Sequence, residues 1–181
     1  MAGPGSSDSR PDRPMQRACD VLADCRVAVA VIDGPVTPER EAAALTLHQW
    51  TPARDSSRRG LGGLAGAALR FEGIVRRGEP RESDAGREHD LVAIDYQTYD
   101  PMAERELVKL SHSVVERHGL LGLVALHSRG RVKVGEVSFV LMVESAHRAE
   151  ALAAMGEFID LLKQDVPIWK RPVWPDASGH A

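Results

Sequence analysis

Between residues 103 and 162 the chain carries two helical stripes with a pair of strands between them. Ala103, Leu107, Leu110 and Val114 recur at steps of four, three and four, and Leu152, Met155, Ile159 and Leu162 at steps of three, four and three. That spacing lines side chains along one face of an α-helix. Leu121–His127 and Glu136–Val143, joined by SRGRVKVG, read instead as the strands of a hairpin. A helical stripe must be buried against a second layer, and a sheet built on this hairpin supplies one. Asp100-Pro101 opens the first helix and Gly119 closes it: aspartate can accept first-turn N–H groups, proline needs no donor there, and glycine tolerates the left-handed turn at the end. Ser145 reads as the cap of the second helix and Pro167 as its stop.

Upstream, Arg26–Ile32 reads as a strand, Gly34-Pro35 as a turn, and Thr37-Pro38 as the start of a helix running toward His48. A polar loop covers 51–60. The glycine-rich GLGGLAG at 60–66 does not fit a GxGxxG fingerprint, and the segment after it, AALRFEGIVR, is strand-like where a phosphate loop needs a helix N-terminus. A flexible turn accounts for it. Residues 78–90 read as a charged, glycine-punctuated loop and Leu91–Thr98 as another strand. Strand, helix, several strands, helix, hairpin, helix lacks regular βαβ alternation and predicts an α+β fold. At 181 residues one domain is expected. Residues 1–25, rich in proline, serine and balanced charge, read as a flexible leader, 26–174 as the domain and 175–181 as a short tail.

The formal charge of −3 offers no broad cationic field for nucleic acid or an anionic membrane, so any anion site must be local. The longest apolar runs fall far short of the ~20 residues that span a bilayer, and the N-terminus lacks the apolar stretch of a secretory signal. A cytoplasmic address is the expectation. Cys19 and Cys25 have no CxxC or Cys/His ladder around them and read as free thiols, with no metal site. Aromatic residues are only 4%, which argues against a base-stacking platform.

The chemistry concentrates between Glu144 and Trp174. His147 and Arg148 open the last helix, where unpaired N–H groups and the helix dipole favour an anion; a solvated surface pair is the alternative. Lys163 lies sixteen residues further on, about 24 Å along a continuous helix, so one helix cannot make the two ends neighbours. Lys170 lies between Trp169 and Arg171. An ammonium among apolar and cationic neighbours gives up its proton more readily, and snorkelling around the indole is the alternative.

The segments FEGIVR (71–76), IDYQTYDPMAE (94–104) and HSRGRVKVGE (127–136), with SAHRAEAL, IDLLK and VPIWK at their intervals between 145 and 170, resemble the large, catalytic subunit of molybdopterin synthase over residues 26–174. The resemblance implies an α/β hammerhead-type fold with an additional antiparallel β subdomain. It also implies a homodimer of large subunits inside a heterotetramer, with a small ubiquitin-like sulfur carrier at each end. The carrier's Gly-Gly C-terminus, as a thiocarboxylate, would convert cyclic pyranopterin monophosphate to molybdopterin in molybdenum cofactor biosynthesis, with no metal or other cofactor. Matched position by position, Lys163 and Lys170 are the candidate catalytic residues, and Arg76, His147 and Arg148 the candidate substrate-binding residues. Guanidinium forks suit phosphate oxygens. The distance between the ends of the last helix leads to the expectation that two large subunits share each pocket. A noncatalytic module that binds a ubiquitin-like tail is the alternative.

Overall fold

The computed structural model describes residues 26–50, 63–80 and 88–175. The proposed leader, both cysteines, the 51–60 loop and the terminal tail from 176 onward lie outside the described residues. In chain order the elements are β1 (Arg26–Asp33), α1 (Pro38–Leu47), β2 (Ala67–Ile74), β3 (Gly78–Pro80), β4 (Glu88–Asp90), β5 (Ala93–Thr98), α2 (Met102–His118), β6 (Gly122–Lys133), β7 (Val137–Ser145), α3 (Arg148–Asp165) and β8 (Ile168–Val173).

β6 organises the molecule. Its first part runs parallel to β1, Arg26 opposite Gly122 through Asp33 opposite Arg129, and antiparallel to β7 on its other side. β2 extends the sheet beyond β7. From Gly130 onward β6 has left β1 and pairs with β5, which pairs with β8, so the sheet continues as a three-stranded antiparallel extension. Both faces of the sheet are covered. Leu123 and Ala125 face α2 and α3 in a cluster with Leu107, Val114 and Phe158, while Val124 and Leu126 face α1 with Ala28, Ala44 and Trp50. Side-chain alternation along a strand then explains why Leu121–Leu126 is apolar without a break: each face has its own core. A third cluster, Val75, Leu91, Ile94, Tyr96 and Val132, knits the extension together. The fold is α+β.

Local signals hold where they rest on backbone chemistry. Thr37 caps α1 by accepting from the Arg40 N–H, with Pro38 in the first turn. Gly119 closes α2 at φ 58°, the left-handed turn glycine adopts without a Cβ clash. Ala103, Leu107, Leu110 and Val114 are all buried.

Several expectations need correction. SRGRVKVG is not a connection: β6 continues to Lys133 and the reversal occurs at Val134–Glu136, because these residues have a second partner strand in β5. Residues 78–90 are not wholly loop, since β3 and β4 pair as a small antiparallel ribbon at the described ends of that segment. Asp100 does not cap α2; Pro101 holds the cap position and the Asp100 carboxylate meets the Arg129 guanidinium. Ser145 ends β7 and donates to the His147 carbonyl, so His147 takes the cap position of α3 without a side-chain hydrogen bond. The stripe on α3 holds in part: Met155, Ile159 and Leu162 pack partly buried against the core, but Leu152 is 60% exposed, and Ala151, Ala154 and Phe158 form the fully buried line. Alanines and one phenylalanine fit closely against the sheet, whereas a leucine-centred face would not approach it as nearly. β8 carries no strand signal in its sequence, because it is an edge strand with four consecutive exposed residues, among them a proline and two charged positions.

Candidate functional site

Where the main sheet, its antiparallel extension and the last turn of α3 meet, they enclose a pocket of about 260 Å3. Its walls are apolar: Phe71 from β2, Phe139 from β7, Ile159 and Leu162 from α3, and Ile168 from β8. β2 reaches it through an irregularity between Gly73 and Ile74, where the register with β7 shifts. Such a bulge bends a strand and re-aims the residues beyond it, here Val75 and Arg76. A side chain at Gly73 would place its Cβ 3.2 Å from the Cβ of Phe139, so glycine lets the two strands approach at this point.

Three of the five residues expected to form a site line this pocket. Arg76 follows the bulge of β2, Lys163 stands in the last turn of α3, and Lys170 lies on β8 opposite Tyr96 of β5. All three are exposed at the rim. Arg76 meets the pocket's carboxylate, Glu79, at 3.3 Å. Neither lysine has an ion pair or hydrogen bond among the described residues. Arg70, Arg129 and Arg131 differ, each clamped by carboxylates. His147 and Arg148 are exposed at the far end of α3 and do not line the pocket.

Beneath the cationic rim lies a buried polar floor that sequence patterning missed. Tyr96 donates its hydroxyl to Ser138 Oγ at 3.0 Å, and Ser138 donates to the Gly73 carbonyl at 3.0 Å. Burial pushes the Tyr96 phenol up from its ordinary value, so it remains protonated. His127, 6% exposed, donates its Nδ1 proton to the Ser128 carbonyl at 2.7 Å. Burial holds its pKa down at about 4, and the nearby Lys170 charge pushes the same way, so the imidazole is neutral at neutral pH. Its ring stands edge-on to Tyr96 at 5.3 Å and 5.6 Å from Phe139, which stacks on Phe158 at 6.2 Å. All three phenylalanines of this aromatic-poor chain therefore belong to one ring cluster running from the core to the pocket. The signal in the sequence was His127 itself, a polar residue at the end of an unbroken apolar strand.

Among the described residues no group of three or more His, Cys, Asp or Glu side chains is arranged to hold a metal ion, and no helix is long and apolar enough to cross a membrane. Chemically, the arrangement is a small apolar pocket with a neutral, hydrogen-bonding floor and a cationic rim. It suits a ligand with a polar ring and an anionic substituent.

The fold and site thus define an α+β protein with an apolar pocket beneath a cationic rim. The family model of the MoaE protein matches residues 43–165, and the chain belongs to that family. It is 36% identical over 115 residues to the molybdopterin synthase catalytic subunit of Thermoplasma volcanium, covering 64% of this chain and 79% of that one. It is 35% identical over 115 residues to the human molybdopterin synthase catalytic subunit, of which it spans 57%, and 35% identical to that of Nostoc, of which it spans 64%. The fold is shared with molybdopterin synthase from Staphylococcus aureus (TM-score 0.60, 24% identity, 81% of this chain and 91% of that one). It is also shared with a chain from the complex of subunits 1 and 2 of molybdopterin-converting factor from Helicobacter pylori (TM-score 0.55, 22% identity, 84% and 92%).

Proposed function

We propose that the chain is the catalytic subunit of a molybdopterin synthase, a sulfurtransferase that converts cyclic pyranopterin monophosphate to molybdopterin in molybdenum cofactor biosynthesis. The sulfur arrives as the thiocarboxylated Gly-Gly terminus of a small ubiquitin-like subunit. Lys163 and Lys170 act where this terminus meets the pterin, neutralising the anionic donor and moving protons. Arg76 holds the substrate phosphate. The working unit is residues 26–174, acting in the cytoplasm. The observation that carries this reading is the convergence of Arg76, Lys163 and Lys170 on one pocket, in a protein whose net charge is −3. Two anions can meet only where local cations offset their repulsion.

His147 and Arg148 enter this scheme from a second copy of the chain. They lie at the opposite end of the 18-residue α3, about 24 Å from Lys163 in its last turn. The single-chain pocket is also below the roughly 300–1,000 Å3 usual for small-molecule sites. A homodimer that brings the start of one α3 to the end of the other completes the pocket, and a small subunit bound to each large subunit makes the heterotetramer.

A single-turnover assay tests the proposal: the purified chain is mixed with a thiocarboxylated small subunit and cyclic pyranopterin monophosphate. Formation of molybdopterin is expected. A small-subunit tail that binds without product formation would instead make the chain a noncatalytic tail-binding scaffold.

A further inference from the structure

We propose that Nε2 of His127 accepts a hydrogen bond from a ring N–H of the bound pterin, setting the depth and orientation of the heterocycle on the pocket floor. The inference rests on the reading of this pocket as the pterin site and adds a positioning residue to it. Three structural observations carry it. The Nδ1 proton of His127 is committed to the Ser128 carbonyl, which fixes the tautomer and leaves Nε2 with a lone pair and no proton. Nε2 has no hydrogen-bond partner among the described residues, yet the ring lines the pocket. The ring is also held edge-on by Tyr96 and beside Phe139, so the acceptor cannot swing away without disturbing the aromatic cluster.

The other polar groups of the floor are less suited to this role. The Tyr96 hydroxyl proton is committed to Ser138 and the Ser138 proton to the Gly73 carbonyl. At the rim, Arg76, Lys163 and Lys170 can only donate while they are charged, and the carboxylate of Glu79 is engaged by the Arg76 guanidinium. A pterin ring presents amide and amino N–H groups, and its phosphate is drawn to the cations. A cationic mouth above a neutral acceptor therefore orients such a molecule one way round, phosphate outward and ring N–H inward. The mismatched direction would bury the phosphate against a lone pair and leave the N–H groups facing cations.

Two measurements on the full-length chain test the inference. In the first, the parent protein labelled with 15N-histidine is titrated with cyclic pyranopterin monophosphate. The spectrum is expected to show His127 protonated at Nδ1 and its Nε2 resonance moving upfield as the site fills. A proton on Nε2, or an Nε2 resonance that does not move at saturation, would overturn the role of His127 alone. If the parent does not bind the pterin at all, the reading of the pocket itself falls. In the second, steady-state kinetics compare His127→Gln with His127→Phe. Loss of the acceptor in His127→Phe should raise KM for the pterin about tenfold, since the ligand's N–H is left buried and unpaired. His127→Gln keeps an acceptor and should stay within about threefold of the parent. The Kd for the small subunit should be the same in both. Equal losses in the two variants, or a loss confined to kcat, would contradict the positioning role. His127→Leu replaces His127→Phe should the phenylalanine variant fail to fold.

Discussion

The two ends of α3 offer the same kind of side chain to different surroundings. At its start His147 and Arg148 stand exposed, with the N-terminal dipole behind them and no enclosing wall among the described residues. At its end Lys163 stands equally exposed, where the dipole favours a cation and disfavours an anion, yet it looks onto a pocket walled by β2, β5, β6, β7 and β8. The helix dipole alone favours the first end as an anion seat, by only about 0.3–1 kcal/mol. Enclosure decides otherwise within one chain. A lowered local dielectric and further cations from Arg76 and Lys170 strengthen every contact with an anion. A site is made by elements converging from distant parts of the sequence, and a helix terminus becomes part of one only when something else closes over it.

The most severe way to break the comparison is to remove what both ends share. Phe158, on the sheet-facing side of α3, is fully buried and stacks on Phe139 at the pocket wall. Phe158→Ala should lower unfolding free energy by about 3–5 kcal/mol, measured by urea denaturation. It should loosen both ends of the helix together. Acid should act on the pocket end through His127. The folded-state pKa of His127 is about 4, below its ordinary 6.5, so on acidification the unfolded chain takes up a proton that the folded chain refuses. Stability from this group is fully present above pH 6.5 and is lost as pH falls toward 4, by about 3 kcal/mol in total. The carboxylates of exposed Asp33 and half-buried Asp95, held low by Arg129 and Arg131, lose their contributions in the same direction. The difference between the parent and His127→Phe at pH 7 and pH 4.5 isolates the histidine.

At the rim, Lys163→Ala should reduce single-turnover conversion about a hundredfold or more. Its melting behaviour should change by less than about 0.5 kcal/mol, because the side chain is exposed and unpaired. Lys170→Arg should also be slower, as guanidinium keeps the charge but does not surrender a proton. The smallest effect is expected at the other end. Arg148→Ala should weaken pterin use about tenfold, the value of one charge-assisted hydrogen bond. Mixed dimers of Arg148→Ala and Lys163→Ala chains should regain activity, because one of their two pockets is then intact. Mixed dimers as inactive as the pure variants would confine each pocket to a single chain.

Much of the scaffold was legible because it depends on short-range rules. The stripe from Ala103 to Val114, the Thr37 cap and the Gly119 stop each require only a few neighbouring residues. What escaped was set by partners distant in sequence. β6 runs on through SRGRVK because β5 is there to receive it, and Lys170 sits on a strand because β5 offers an edge. Patterning placed Leu152 on the buried face of α3, whereas close packing against the sheet selects Ala151, Ala154 and Phe158. The cationic candidates Arg76, Lys163 and Lys170 were reached through motif resemblance, and geometry brought them to one pocket. The floor of Tyr96, His127 and Ser138 comes from three strands whose register no local pattern reveals.

The central claim is that a donor terminus enters beneath the cationic rim at the end of α3. Activating the small subunit's C-terminal glycine with a carbodiimide in the assembled complex, then mapping the resulting amide bond by mass spectrometry, tests it most directly. The account predicts a bond to Lys163 or Lys170. A bond to Lys109 on the outer face of α2 or to Lys133 at the end of β6, with neither rim lysine modified, would contradict it.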